Sequence, residues 1–148
     1  MIIDRYNVAQ HQQVMTTKMQ LPYQEINRLA TEILRIKDQQ DKQTNVKADM
    51  SSWQLWNEID LNLFFDHLNP LLNMVSWNST PIGHKESPMS NVITDTWSAV
   101  YRKGDRTVSH HHYPSAGSFV YYVTANPSVS APLCFDECIN IPVDTDLL

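Results

Sequence analysis

No stretch of the 148-residue sequence is apolar for the length needed to cross a bilayer. Nor does it have a cluster of Lys and Arg. Its 11 basic residues are scattered among 16 acidic ones, for a net charge of −5 and a pI near 5.6. A chain without a basic patch cannot track a phosphate backbone, so direct nucleic-acid binding is not expected. The opening residues, MIIDRYNVAQHQQ, lack the basic start and apolar run of a secretory leader. Cysteine is scarce. Cys134 and Cys138 are the two thiols, and in one extended strand their separation exceeds the reach of a disulfide, so a reduced intracellular setting is the simpler reading. A zinc ribbon or finger is not indicated by that spacing. No internal repeat divides the chain, and its length fits one domain spanning 1–148.

Periodicity supplies the positive signals. Residues 2–9 alternate loosely and suit an outer strand, whereas HQQVMTTKMQL is polar and ambiguous. From Pro22 onward Ile26, Leu29, Ala30, Ile33 and Leu34 recur at helical spacing, with polar residues between them, which predicts an amphipathic helix of about four turns. DQQDKQTNVKAD then reads as a solvated loop. A second helix is expected from about Asp60, carrying Leu61, Phe64, Phe65, Leu68, Leu71, Leu72 and Val75 as a broad apolar stripe, with Pro70 as a point of interruption. Trp53 and Trp56 suit core or rim packing. Residues 77–95, rich in Ser, Asn, Pro and Thr, read as a long connection of the kind that borders active sites.

After that connection the pattern is strand and turn. Trp97, Ala99 and Tyr101 fall on one face of a first strand, and Lys103-Gly104-Asp105 marks a turn. Ser118–Thr124 is as dense in aromatic and β-branched residues as a buried central strand, and short strands are expected at Leu133–Phe135 and Ile139–Val143. Between these segments stand His110, His111 and His112. In an extended chain alternate side chains share a face, so His110 and His112 point together and His111 points away. Two imidazoles on one face make half a metal site. From spacing alone an exposed polar loop with idle histidines is an equal alternative.

Helices followed by consecutive strands predict an α+β domain. The architecture that best suits short strands with a metal pair near a strand end is a double-stranded β-helix, or cupin-like jelly roll, preceded by two or three supporting helices. Helical support is expected over about 22–76 and the jelly-roll core over about 96–148.

The passages WSAVYRKGD, H-x-H-x-P-S and SFVYYV followed by proline resemble the 2-oxoglutarate- and iron(II)-dependent oxygenases of the prolyl-hydroxylase-like kind, particularly uncharacterised members from bacteria and tailed phages. The resemblance is tight over residues 96–136 and looser over the helices. It implies an Fe(II) centre, 2-oxoglutarate as cosubstrate, and a hydroxylase that couples oxidative decarboxylation of 2-oxoglutarate to oxidation of an unidentified prime substrate. By position His110 resembles the first iron-binding histidine. His112 falls where most of the superfamily has aspartate, although this subgroup often has histidine. Tyr101 and Tyr122 look like the cosubstrate-contacting tyrosines, with ordinary core aromatics as the alternative for both.

Relatives of this kind continue past a segment like VDTDLL to a distal histidine that completes the metal triad and an arginine that grips the far carboxylate of 2-oxoglutarate. This sequence stops at Leu148. The expectation is therefore a C-terminally incomplete domain, either part of a longer product or a relative that keeps the fold without the chemistry. Asp105, Asp136, His84 and Lys85 are the conceivable stand-ins. Two rivals stand beside the oxygenase reading: a non-enzymatic jelly-roll structural or interaction protein of phage origin, and a cupin-like protein holding zinc or manganese. The implied setting is the cytoplasm, that of the host if phage-encoded, with the virion as the alternative. An oligomer or larger phage assembly is compatible with either.

Overall fold

Pro22 begins the best-defined part of the molecule. A proline has no N–H to satisfy, and its carbonyl accepts hydrogen bonds from the Glu25 and Ile26 amides at 2.9 and 3.1 Å. Helix α1 follows over Tyr23–Ile36. In this computed structural model, residues 3–9, 12–36, 44–74, 92–112, 114, 115, 117–126, 128, 130, 133–135 and 139–141 are described. Of the expected apolar stripe of α1, Ile26 and Leu29 lie in the core and Ile33 packs against it, whereas Leu34 is exposed and Ile36, outside that stripe, is buried.

Helix α2, Asn62–Met74, is entered through Asp60, whose side chain accepts the Asn62 amide at 2.9 Å and so satisfies one of the donors left open at a helix start. Leu61, Phe64 and Leu68 of its stripe are buried with Leu21, Ile26, Leu29, Ile36, Leu55 and Ile59. Pro70 does not break the helix, which runs on to Met74. A proline there removes one backbone hydrogen bond, and the apolar stripe on either side of it holds the segment to the core. Val75 lies outside the described residues. The two helices are also joined by a polar clasp. Arg28 grips the buried Glu25 with two bonds of 2.8 and 2.7 Å and donates a third, 2.6 Å long, to the Asp60 carbonyl. That carboxylate holds the Arg28 pKa above its ordinary value.

Among the described residues the strands form four two-stranded antiparallel sheets. β1, Ile3–Ala9, pairs with β2, Gln12–Thr17, from Ile3 opposite Thr17 to Asn7 opposite Gln13, with a register shift beyond. β3, Val46–Lys47, pairs with β6, Arg106–Thr107, and β4, Asp49–Met50, pairs with β5, Ala99–Val100. β7, Leu133–Phe135, pairs with β8, Ile139–Ile141. The second strand of the first hairpin is the segment whose pattern left it ambiguous. A polar strand with no buried stripe carries no period to read.

Ser118–Thr124 departs from expectation. Among the described residues it pairs with no strand, and Phe119 and Val120 are exposed. Its aromatics are used against α2 instead: Phe64 meets Phe119 at 6.4 Å and Tyr121 at 5.4 Å between ring centres, and Val123 packs on the same core. β-propensity reports side chains that suit a half-buried surface, and a helix supplies such a surface as well as a sheet does. Most of the long connection, 75–91, lies outside the described residues, as do His84, Lys85, Asp136 and Cys138. Among the described residues no helix is long and apolar enough to cross a membrane.

Candidate metal centre

β3 with β6, and β4 with β5, are two pieces of one ladder. Residues 45–54 run against 96–108, and pairing continues past the strands at both ends. The Val108 amide donates to the Asn45 carbonyl at 2.8 Å at one end, and the Leu55 amide to the Thr96 carbonyl at 2.8 Å at the other. Where regular pairing stops, Ser51 substitutes for it. Its amide donates to the Ser98 carbonyl at 3.0 Å, its hydroxyl accepts the Ser98 amide at 2.9 Å, and the residue is fully buried. Val46, Ala48 and Met50 form a second small core beneath this ladder, with Trp97 and Ala99 packed against it.

Between the two pieces the chain makes an excursion over 101–105. The Asp105 amide donates to the Arg102 carbonyl at 2.9 Å, the Asp105 carboxylate accepts the Arg102 amide at 2.7 Å, and Gly104 sits at φ 95°. Glycine takes that conformation without the penalty a Cβ brings, so Lys103-Gly104 forms the tip of a tight turn. The Arg102 guanidinium returns to Asp49 on β4, and the Tyr101 hydroxyl bonds to Thr107 on β6.

The histidines leave the ladder directly after Val108. His110 folds back so that its Nδ1–H donates to the Val108 carbonyl at 2.8 Å. Its Nε2 then carries the lone pair and faces away from that bond, the arrangement a metal-binding imidazole uses. The rings of His110 and His112 are 4.7 Å apart and inclined at 66°. An ion about 2.1 Å from one nitrogen of each ring lies roughly 3.2 Å from each ring centre, which puts the centres about 4.6 Å apart at a right angle and about 5.3 Å apart at a tetrahedral angle. The observed spacing fits adjacent positions of an octahedral ion better than a tetrahedral pair. Partial burial, and behind it the positive charge His110 and His111 would carry, push the His112 pKa below its ordinary value, so its lone pair is available at neutral pH.

His112 has a second neighbour. Trp97 lies nearly parallel to it, 6.0 Å away at 26°, and Trp97 in turn meets the edge of Trp53 at 4.9 Å. The rings of His110 and His112 are neighbours, and the backbone there forms no ladder of its own. The tryptophans beside them were not singled out as part of a site, because a tryptophan far along the chain gives no spacing signal toward a histidine pair.

Tyr101 is exposed and braces its own excursion. Tyr122 is half-buried, and its phenol is pushed above the ordinary value by that burial and then by the nearby Tyr101 and Cys134. The two tyrosines assigned as cosubstrate contacts thus lie within electrostatic reach of one another. Asp105 is engaged in the turn. Among the described residues no third His, Cys, Asp or Glu joins His110 and His112 in a group of three. His110 and His112 bring two nitrogen-bearing rings together, and among the described residues the third donor named by the resemblance does not join them.

A separate open groove of about 390 Å³ is lined by Trp56, Phe65, Asn69, Val92 and Ile93. It is apolar and presents no group for acid–base or metal chemistry. No family model matches the chain, and no curated protein or solved structure is similar to it.

Proposed function

We propose that this chain is an iron(II)- and 2-oxoglutarate-dependent oxygenase domain of the double-stranded β-helix kind, with His110 and His112 as two adjacent metal ligands. The observation that carries the proposal is the 4.7 Å ring spacing, together with the Val108 carbonyl that selects the Nε2 lone pair of His110. When bound, Fe(II) would supply the redox chemistry that couples decarboxylation of 2-oxoglutarate to oxidation of a substrate C–H bond. The chain's own part is to hold two imidazoles side by side just beyond the end of the ladder. Tyr101 and Tyr122 offer phenolic O–H groups to the cosubstrate carboxylates, and the raised pKa of Tyr122 keeps its proton in place for that contact.

Anaerobic titration of the metal-free chain with Fe(II), then 2-oxoglutarate, tests this reading. A weak visible charge-transfer band on adding 2-oxoglutarate is the expected result, and its absence in metal-loaded protein sinks the oxygenase. His110→Ala should lose bound metal while His111→Ala retains it, since only the former shares a face with His112. Equal loss from both variants overturns the ligand assignment. Tight binding of Zn(II) or Mn(II) with no response to 2-oxoglutarate selects the cupin-like alternative. A chain that takes up no ion selects the structural or interaction protein.

A further inference from the structure

The two imidazoles of the pair are oriented by different means. His110 is fixed by a hydrogen bond to its own strand through Val108. Among the described residues the His112 ring makes no hydrogen bond; its ring neighbours are His110, which meets it edge-on, and the indole of Trp97, the one that lies nearly parallel to it. A histidine ring without a fixed partner turns about two side-chain bonds, and each freely sampled orientation weakens its use as a ligand.

Trp97 is well placed to remove that freedom, because it is itself held from three sides. Its backbone continues the ladder between Thr96, which exchanges hydrogen bonds with Trp53 and Leu55, and Ser98, which is clasped by the buried Ser51. Its ring packs on the core of Val46, Ala48 and Met50. The ring of Trp53 meets it in a T-shaped contact at 4.9 Å. An aromatic plane anchored this firmly restricts a ring stacked on it to orientations near parallel, here 26°.

We propose that Trp97 is the positioning residue for His112: its indole, braced by Trp53 and the Val46–Ala48–Met50 core, holds the His112 imidazole in the orientation that converges with His110 on one divalent cation. This rests on the metal reading given above, and goes beyond it by assigning the orienting role to a residue that donates nothing to the ion. The indole acts through shape and ring stacking, so phenylalanine should replace it and an aliphatic side chain should not.

The test uses the full chain with two readouts. In metal-free protein, proton NMR of the His112 ring should show the upfield shift of a ring lying over an indole, lost in Trp97→Leu and largely kept in Trp97→Phe. In the same proteins, titration with Ni(II) alone should quench tryptophan fluorescence in the wild type. Affinity should fall roughly 10-fold in Trp97→Leu, the scale on which loss of an orienting partner weakens a metal site, and stay within about 2-fold in Trp97→Phe. Trp53→Leu, which removes the brace but not the stacking face, should fall between them. Far-UV circular dichroism confirms that each variant is folded, and Trp97→Phe carries the test if Trp97→Leu is not. A wild type that binds Ni(II) but shows no upfield shift, or a folded Trp97→Leu that binds it equally well, overturns the role of Trp97 and leaves the metal site standing. A wild type with the shifted ring that binds no divalent ion overturns the metal reading and the ligand-orienting role with it.

Discussion

The helical half and the ladder half of this molecule are held together in different ways. Around α1 and α2, nine buried apolar residues meet in one cluster, with eight partly buried ones packed on it. Under the ladder the buried apolar residues are Val46, Ala48 and Met50. What the ladder lacks in buried surface it makes up in backbone and side-chain hydrogen bonds, with Ser51 at their centre. Stability and site geometry are therefore separable here: the first resides with the helices, the second with a thin hydrogen-bonded frame. Hydrophobic burial is non-directional and tolerant of small displacements, whereas hydrogen bonds fix angles.

The sharpest way to break this comparison is to strike the larger core. Leu29 is 2% exposed, and Leu29→Ala should cost about 2–5 kcal/mol in urea unfolding followed by circular dichroism, through lost transfer energy and the cavity left behind. A cost under about 1 kcal/mol would mean that the helices do not carry the stability. Next in size is the frame. Ser51→Ala leaves the partly buried Ser98 amide without its acceptor, so a loss of about 1–3 kcal/mol is expected. The Trp97–His112 ring shift should weaken in the same protein, and an unshifted spectrum at full helical content would separate the site from the ladder entirely.

Gly104→Ala is smaller. Nothing stands within 4 Å of the added Cβ, so the whole effect comes from its φ of 95° and should be roughly 1–2 kcal/mol. The same substitution should leave Ni(II) affinity unchanged, since the turn tip lies outside the paired residues.

The smallest effect is one of pH. The His112 pKa is lowered from 6.5 by burial and by its histidine neighbours. The unfolded chain therefore takes up this proton first as the pH falls. The stability that the neutral ring contributes is complete above the ordinary imidazole value and is lost as the pH falls through the lower folded one. The His112 ring resonances should titrate at lower pH than those of the same histidine in an unfolded control peptide. Coincident titration would remove the burial argument for this ring.

Both helices were legible because an apolar stripe at a 3.6-residue period needs no partner to be recognised. Ile26, Leu29, Phe64 and Leu68 were all assigned inward on that basis and are all buried. The ladder was less legible. Its strands are two residues long, too short to show alternation, and their partners are named by register and not by pattern. Val46–Lys47 and Asp49–Met50 lie in and beside a stretch that reads as polar loop, and nothing in their sequence announces Thr107 or Ala99 as the residues opposite. Of the candidate site, the nearness of the His110 and His112 rings follows from their position two residues apart in the chain. The part of Trp97 was not legible, because its contact with His112 is made by the return of the chain around the excursion.

That excursion has a practical corollary. Lys47 faces Arg106 and Asp49 faces Val100, so the intervening 101–105 segment begins and ends opposite residues only two positions apart and forms a spur beside the frame. Residues grafted between Lys103 and Gly104 would lengthen the spur without altering the separation of its two feet. A reporter peptide or fluorophore carried there would meet open space at the turn tip and leave the paired residues of the frame as they are.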